Sequence, residues 1–470
     1  MRALLAAAIL WLTCATPAAA ERFIAFSDLH LDPTADPVLV GQLLAAPVAD
    51  WAAILERGRE GFGRFGRDAT WPLVRSALDQ MRTVEPDPAF LLLTGDLLAH
   101  GFEAKFSAAA PGAGAAAYDA FVIKTVEFLA AQIMARFPGR RVFLALGNND
   151  DFCGDYRLSP DGRFLIESEA VAQALLGADD GQAFARAWEE GFGYDVPNGA
   201  LAGLRMIFLN SVFFSPGYDE ACAPNAPRDP GLDAMDWLAV KLAQARGRGE
   251  KVWLFLHIPP GADAYATLAQ GACAGTLQAM WTAPETERFL GLIREHAQMV
   301  QLVFAGHTHM DEFRLLGAPS HPDGMVLVTP GISPIFGQNP GFHVYEVTAS
   351  GRLLDRETWA LTNLTEISAA VAPAWRREYR FSDLWGGLGL GLDAPGLAEL
   401  ASAIADNPAT RAKWYSAFRV GRTAAWREPG GVAQLPPAVF AAYRCAISDV
   451  PAAAYRRCLC GEQAPVTPRP

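Results

Sequence analysis

Phe23-Ile24-Ala25-Phe26-Ser27-Asp28-Leu29-His30 is the stretch that decides the fold class. A short apolar run ends there on an Asp-x-His pair. Further runs of the same kind follow. Ala89 to Leu93 ends at Thr94-Gly95-Asp96, and Val142 to Leu146 ends at Gly147-Asn148. Leu204 to Leu209 ends at Asn210-Ser211, Val252 to Leu256 at His257, and Leu302 to Ala305 at Gly306-His307-Thr308-His309. Continuous apolar runs this short predict strands buried on both faces.

Helical spacing fills the gaps between them. Thr70 is placed to cap a helix that starts near Pro72 and runs to about Arg82. Ala115 to Phe137, Leu232 to Ala245 and Pro284 to Gln298 carry apolar residues at helical intervals. This alternation predicts an α/β architecture, with polar residues at the carboxyl ends of buried strands. Two insertions, Asp32 to Phe65 and Asp150 to Tyr194, are long enough to shape a cleft. From about Leu361 the strand pattern stops, and Leu397 to Ile404 and Ala409 to Phe418 have helical spacing. The expected organisation is a segment 1–20 to be removed, a catalytic domain over 21–360, a helical subdomain over 361–460 and a disordered Pro-rich tail over 461–470.

With 470 residues, 51% of them hydrophobic and 19% charged, the chain has the composition of a globular protein with a large core. A net charge of -12 argues against a nucleic-acid duplex as an electrostatic partner. Arg2, the apolar run Ala3 to Leu12 and Ala18-Ala19-Ala20 read as a signal peptide cleaved near Ala20. The run is too short to span a membrane, and no other stretch is long and apolar enough. A secreted or periplasmic protein is expected. Beyond Cys14, six cysteines remain: Cys153, Cys222, Cys273, Cys445, Cys458 and Cys460. Their even number suits disulfides in an oxidising compartment, but spacing does not choose the pairs.

The chain has only eight histidines, and four of them fall in the strand-end motifs. Taken singly the motifs are weak. Asp28 and His30 share one side of an extended segment. Gly95-Asp96 also reads as a helix cap, and Gly147-Asn148 as a turn. His257 precedes Ile258-Pro259-Pro260, where two prolines fix the backbone. His307 and His309 are close enough to serve one site. Jointly, carboxylates, imidazoles and an amide at strand ends predict metal binding.

The ordered set Asp28-x-His30, Gly95-Asp96, Gly147-Asn148, His257 and Gly306-His307-x-His309 resembles that of the calcineurin-like metallophosphoesterases. The resemblance implies a four-layer α/β/β/α sandwich and two divalent metal ions. Asp28, His30 and His309 would hold the first ion, Asn148, His257 and His307 the second, and Asp96 would bridge them. Zinc is expected, with manganese or iron as alternatives. Such a pair lowers the pKa of a shared water, so in-line attack of hydroxide on phosphorus is the predicted reaction. A general acid should then protonate the leaving oxygen.

One position departs from the common pattern. Most of the superfamily has His after the Asn, where this chain has Asn149 in Gly147-Asn148-Asn149-Asp150. An amide can hydrogen-bond a phosphate oxygen but delivers no proton. Endopolyphosphatases resemble the chain here, and a metal-binding protein without turnover is the non-enzymatic alternative. His100, four residues after Asp96, resembles a histidine of the acid sphingomyelinase group placed beside the leaving group. That narrower resemblance extends to Ser27 to Pro33, to His257-Ile258-Pro259-Pro260-Gly261, to Ile332 to Phe342 with Val344-Tyr345-Glu346, and to Tyr379 to Gly421. It implies a phosphodiester substrate and a bond from Cys445 to Cys458 or Cys460. The substrate classes left open are a lipid, a nucleotide and polyphosphate. Asn210 either lines the site or makes a turn. Phe213, Phe214, Tyr218, Phe336 and Phe342 are candidates for an apolar rim. His343 reads as structural, His296 as a cation near a helix C-terminus, and His321 as a turn residue.

Overall fold

A computed structural model describes residues 20–177, 181–219, 229–421 and 436–461. The expected signal segment up to Ala19, Cys222 and the tail beyond Gly461 lie outside the described residues. The apolar runs fold as strands. β1 (Glu21–Phe26), β2 (Leu91–Leu93) and β3 (Val142–Leu144) pair in parallel in one sheet. β4 (Gly193–Pro197), β5 (Leu204–Leu209), β6 (Lys251–Phe255) and β7 (Val300–Ala305) enter a second. Hairpin β8 (Glu312–Ala318) and β9 (His321–Val328) completes that sheet, in the order β4-β5-β6-β7-β9-β8. β10 (Gly341–Val347), β11 (Leu353–Leu361) and β12 (Trp375–Arg380) extend the first, in the order β12-β11-β10-β1-β2-β3.

The two sheets face each other across an aromatic seam. Phe23 stacks on Phe90 and Tyr345 of its own sheet, with ring centroids 4.6 and 4.9 Å away. It meets Trp253 and Phe304 of the other sheet at 5.5 and 5.8 Å. Outside the second sheet, Ile207, Leu254 and Val303 pack on Met235 and Leu238 of helix Pro230–Gly247 and on Phe289 of helix Ala283–Glu295. Helices Trp71–Val84 and Ala115–Arg136 bring Trp71, Leu78, Phe121 and Phe128 into the core on the side of the first sheet. The expected four-layer order of helices, sheet, sheet and helices results. Among the described residues no helix is long and apolar enough to cross a membrane.

Several local expectations change. β12 lies beyond Leu361, where strands were expected to stop; its alternation is broken by a run of arginines, and pairing with β11 decides its state. Helices Ala394–Asp406, Pro408–Phe418, Pro437–Ser448 and Ala452–Cys460 follow it. Thr70 does not cap its helix, because its hydroxyl donates to the Gly61 carbonyl. His321 opens β9 rather than sitting in the turn. His296 ends its helix as expected, and burial, helped by Arg246, lowers its pKa. Cys445 bonds Cys458, and Cys273 bonds Cys460 across 187 residues.

His343 is structural, and it makes stability depend on pH. Its Nε2 lies 3.2 Å from Asp311, which also receives Arg356 and the hydroxyls of Tyr379 and Thr358. Burial, helped by Arg356, outweighs Asp311 and pulls the imidazole down to about 4. An unfolded histidine takes its proton near 6.5. Between the two values the fold binds fewer protons than the unfolded chain, so it loses stability as pH falls through that window. His343→Gln should therefore flatten the fall of the urea midpoint between pH 6.5 and 4. An unchanged slope would remove His343 from this role.

Candidate metal centre

The strand ends converge where the two sheets meet. β1 delivers Asp28 and His30, β2 delivers Asp96 and β3 leads to Asn148, while β6 delivers His257 and β7 delivers His307 and His309. Five of these seven residues have left-handed backbones: Asp28, His30, Asp96, His307 and His309, with φ from 37° to 74°. For residues with a Cβ this conformation costs about 1–3 kcal/mol each and persists only where surroundings impose it. Its concentration at one place marks the convergence as functional. The turns are also tight: a Cβ on Gly147 would lie 2.0 Å from Asp96 Oδ1.

The side chains form two neighbouring sets. Asp28, His30 and His309 lie together, and so do Asp96, His257 and His307. His309 Nε2 is 3.2 Å from His30 Nε2 and 3.3 Å from Asp28 Oδ1. His307 Nδ1 is 2.9 Å from Asn148 Oδ1. Asp96 Oδ2 stands 3.2 Å from both His30 Nε2 and His257 Nε2. Donors about 2.1 Å from one ion, at octahedral to tetrahedral angles, are about 3.0–3.4 Å apart. The spacings fit that requirement.

The hydrogen bonds behind the imidazoles settle which nitrogens face inward. His30 Nδ1 meets the Leu98 carbonyl, His257 Nδ1 the Thr94 carbonyl and His309 Nδ1 the Ser333 carbonyl. Each Nδ1 must donate to its carbonyl, which leaves Nε2 as a ligand. The Nε2 atoms of His30 and His309 face each other, so either one carries a proton to the other or a cation lies between them. Asn148 Nδ2 donates to Asp155, so its Oδ1 is the free end.

The electrostatics demand the same. Burial raises the Asp96 carboxyl, but His257 and His30 outweigh it and hold it well below the usual carboxylate range. Asp28 is held at about 2 against burial by His309 and His30. Burial also opposes the charged form of His257, yet Asp96 and Asp28 push it up to about 9, and His30 is raised well above its ordinary value. His307 falls to about 3 and His309 to about 4, with burial the main cause. A divalent ion must displace the protons on His30 and His257. Apparent metal affinity should therefore rise with pH up to about 9 and fall below it. Calorimetric titration in buffers of different ionisation heat should show net proton release on binding; no release would contradict this charge arrangement.

Sequence reasoning missed the residue that shapes the centre. Asp150 is buried and accepts from four backbone N–H groups, those of Asp96, Leu97, Leu98 and Gly147. Burial, with the Asp96 charge, raises its carboxyl to about 6. The only signal was its place beside Asn149. Asn149 itself departs from expectation. Its backbone N donates to Asp96 Oδ1 and its side-chain Nδ2 to Asp96 Oδ2, at 2.9 and 3.0 Å. The side chain holds Asp96, a contact the sequence did not show.

A cavity of about 250 Å³ opens on the centre, lined by Asp96, His100, Asn148 and His307 among others. Tyr156, Tyr265, Phe336 and Tyr443 supply its aromatic surface, and Asp155, Asp263 and Glu312 its carboxylates. Of the proposed rim only Phe336 takes part; Phe213, Phe214 and Phe342 are buried in the core. Tyr218 is partly buried and packs edge-on to Phe213 at 5.3 Å. Asn210 does not line the cavity. Its Oδ1 accepts from Val212 N and its Nδ2 donates to the Gly191 carbonyl, so the turn consumes it. His100 stacks on His30 at 4.1 Å, and its Nδ1 bonds Asp68 Oδ1 at 2.8 Å. Asp68, unsuspected in the sequence, also receives the His100 backbone N–H and Lys105.

A family model described as calcineurin-like phosphoesterase matches residues 21–311, a span that carries all seven converging residues. The chain belongs to the calcineurin-like phosphoesterase family. Divalent metals are the cofactors of this family, and the two side-chain sets suit them. The phosphoesterase is 28% identical over 382 residues to acid sphingomyelinase-like phosphodiesterase 3b of Mus musculus, covering 77% of this chain and 75% of that one. It is 25% identical to cyclic GMP-AMP phosphodiesterase SMPDL3A of Rattus norvegicus, covering 78% and 77%. It is 24% identical to sphingomyelinase phosphodiesterase C of Dictyostelium discoideum, covering 70% of each chain.

Proposed function

We propose that the chain is an exported, two-metal phosphodiesterase acting on a lipid or nucleotide phosphodiester. The observation that carries this reading is the position of Asp96 Oδ2, equidistant from an imidazole of each ligand set. Asp28, His30 and His309 hold one ion, Asn148, His257 and His307 the other, and Asp96 is shared. Imidazole with carboxylate suits zinc first, then manganese or iron. Bound there, divalent ions supply Lewis-acid polarisation of a phosphoryl group and a water of lowered pKa. The names of the relatives support a phosphodiester. The disulfides Cys273–Cys460 and Cys445–Cys458 support an oxidising compartment, in keeping with cleavage near Ala20. The catalytic unit spans 21–360, and the unit over 361–460 contributes Tyr443 and Ala446 to the cavity wall.

The chain's own residues divide the remaining work. Asn149 and Asp150 hold Asp96 and its loop. His100 takes the place of the missing acid. Its Nδ1 donates to Asp68, so Nε2 is the nitrogen left for the leaving oxygen, and the ring acts as acid in its imidazolium form, with a hydrogen on each nitrogen. A chromogenic phosphodiester tests the whole reading: chelation should abolish turnover, and zinc or manganese should restore it. Metal-independent turnover would end it. His100→Ala should slow an alkyl diester about 10²–10⁴-fold, and a p-nitrophenyl diester, whose leaving group needs no proton, far less. Asp68→Asn should move both rates the same way by a smaller factor. Equal losses on both substrates would rule His100 out as the acid.

A further inference from the structure

A second cavity, of about 540 Å³, opens beside the first, and His100 lines both. Part of its wall is a closed set of charges. Lys105 Nζ lies 2.9 Å from Asp32 Oδ2 and pairs also with Asp68, which holds His100. Two carboxylates here share one ammonium. The rim is different. It is built by Glu60-Gly61-Phe62-Gly63-Arg64-Phe65-Gly66-Arg67, in a chain of net charge -12. Arg64 and Arg67 are exposed and line the cavity, and neither guanidinium has a hydrogen bond or ion pair among the described residues. Glu60 is a third carboxylate, so three cations and three anions line the cavity, and Arg64 and Arg67 are the cations left without a partner among the described residues.

The arginines are held in place from behind. The Thr70 hydroxyl donates to the Gly61 carbonyl at 2.7 Å, and Gly63 N donates to Glu60 O at 2.9 Å. Gly66 N donates to Pro334 O at 3.1 Å, which ties the rim to the loop that carries Phe336. Gly63 and Gly66 have φ of 74° and 78°, so the chain turns on either side of Arg64 in a way that residues with a Cβ resist. Two guanidiniums free of protein partners, on a pinned loop, make a receptor for phosphoryl oxygens, which they bond in pairs.

We propose that this second cavity is a subsite for a further phosphoryl group carried on the leaving group of the substrate. The inference rests on the phosphoesterase reading above, with His100 at the leaving oxygen. A substrate spanning both cavities passes over His100. Its reacting phosphorus lies at the metal centre and its next phosphoryl group at Arg64 and Arg67. Water oxygen joins the reacting phosphorus, the bond from phosphorus to the leaving oxygen breaks, and that oxygen takes the proton of His100. The class favoured is a phosphoanhydride or phosphoester whose leaving group is itself phosphorylated, over esters of uncharged alcohols.

The test uses the full chain with metal restored, as wild type and as the Arg64→Ala/Arg67→Ala double variant. Two substrates are compared: adenosine triphosphate, whose leaving group is phosphorylated, and bis(p-nitrophenyl) phosphate, whose leaving group is not. The expected result is a tenfold or greater loss of kcat/KM on the triphosphate, mostly in KM, with the diester changed less than twofold. Equal losses on both, or none on the triphosphate, would overturn the subsite. Calorimetric titration of the chelator-treated protein with inorganic pyrophosphate decides independently. Binding at least tenfold weaker in the double variant supports the subsite, whereas absent or arginine-independent binding overturns it. If the wild type turned over neither substrate, the phosphoesterase reading would fall, and the pyrophosphate titration would still decide the subsite.

Discussion

Asp96→Asn should lower kcat/KM on a phosphodiester by about 10³-fold or more, about 4 kcal/mol of lost transition-state stabilisation. The expectation follows from geometry. Asp96 Oδ1 accepts from Asn149 N, and Oδ2 accepts from Asn149 Nδ2 while facing His30 and His257. An asparagine that keeps its oxygen toward Asn149 N must turn its NH₂ toward the place where two ligand sets meet. It then clashes with the Asn149 amide and presents hydrogens where a cation belongs. On the proposed reading one oxygen would serve both ion sites, so the lost negative charge would weaken both at once. Metal content, measured on the purified protein, should drop from two ions to one or fewer. Turnover within tenfold of wild type at full metal content would show that Asp96 is not shared.

Asp150→Ala should be the most damaging change outside the ligand set. It leaves four buried backbone N–H groups without their acceptor. An unsatisfied buried donor costs about 1–3 kcal/mol, and water entering the gap offsets part of that. A net loss of about 4 kcal/mol or more in urea unfolding is expected. Activity should fall further than stability explains, because these bonds hold Asp96 at its left-handed φ of 55°. Asp150→Asn should not rescue it, since an amide NH₂ would meet at least one of the N–H groups. Unfolding within 1 kcal/mol of wild type, together with full metal binding, would contradict this role.

The strands that carry the ligands were legible because each is buried on both faces and so reads as an unbroken apolar run. The candidate ligands were legible only as an ordered set at successive strand ends, since singly an Asp or Asn there also reads as a cap or a turn. β12 was hidden, because its state comes from pairing with β11. Asp68 was hidden in the short link between an insertion and the helix that begins at Trp71, and nothing in its neighbours marks it. Tyr156 and Tyr265 resemble any other surface tyrosine until the cavity is seen. The bonds of Asn149 to Asp96 were hidden because a residue type names a capacity to hydrogen-bond, not a partner. The reading of Asn210 as a site residue failed for the same reason, since its own turn takes it.

The order of residue types along the chain was enough to establish the family, the α/β sandwich and the seven candidate ligands. Burial of short apolar segments gave the α/β class, and the resemblance of the ordered motifs to a known family implied the rest. Only the tertiary structure decided that Asp96 stands between two sets, that Asp150 holds its loop and that His100 separates two cavities. These are relations between atoms more than fifty residues apart in sequence, as with Asp150 and Asp96. Packing sets such distances, and no pattern along the chain contains them.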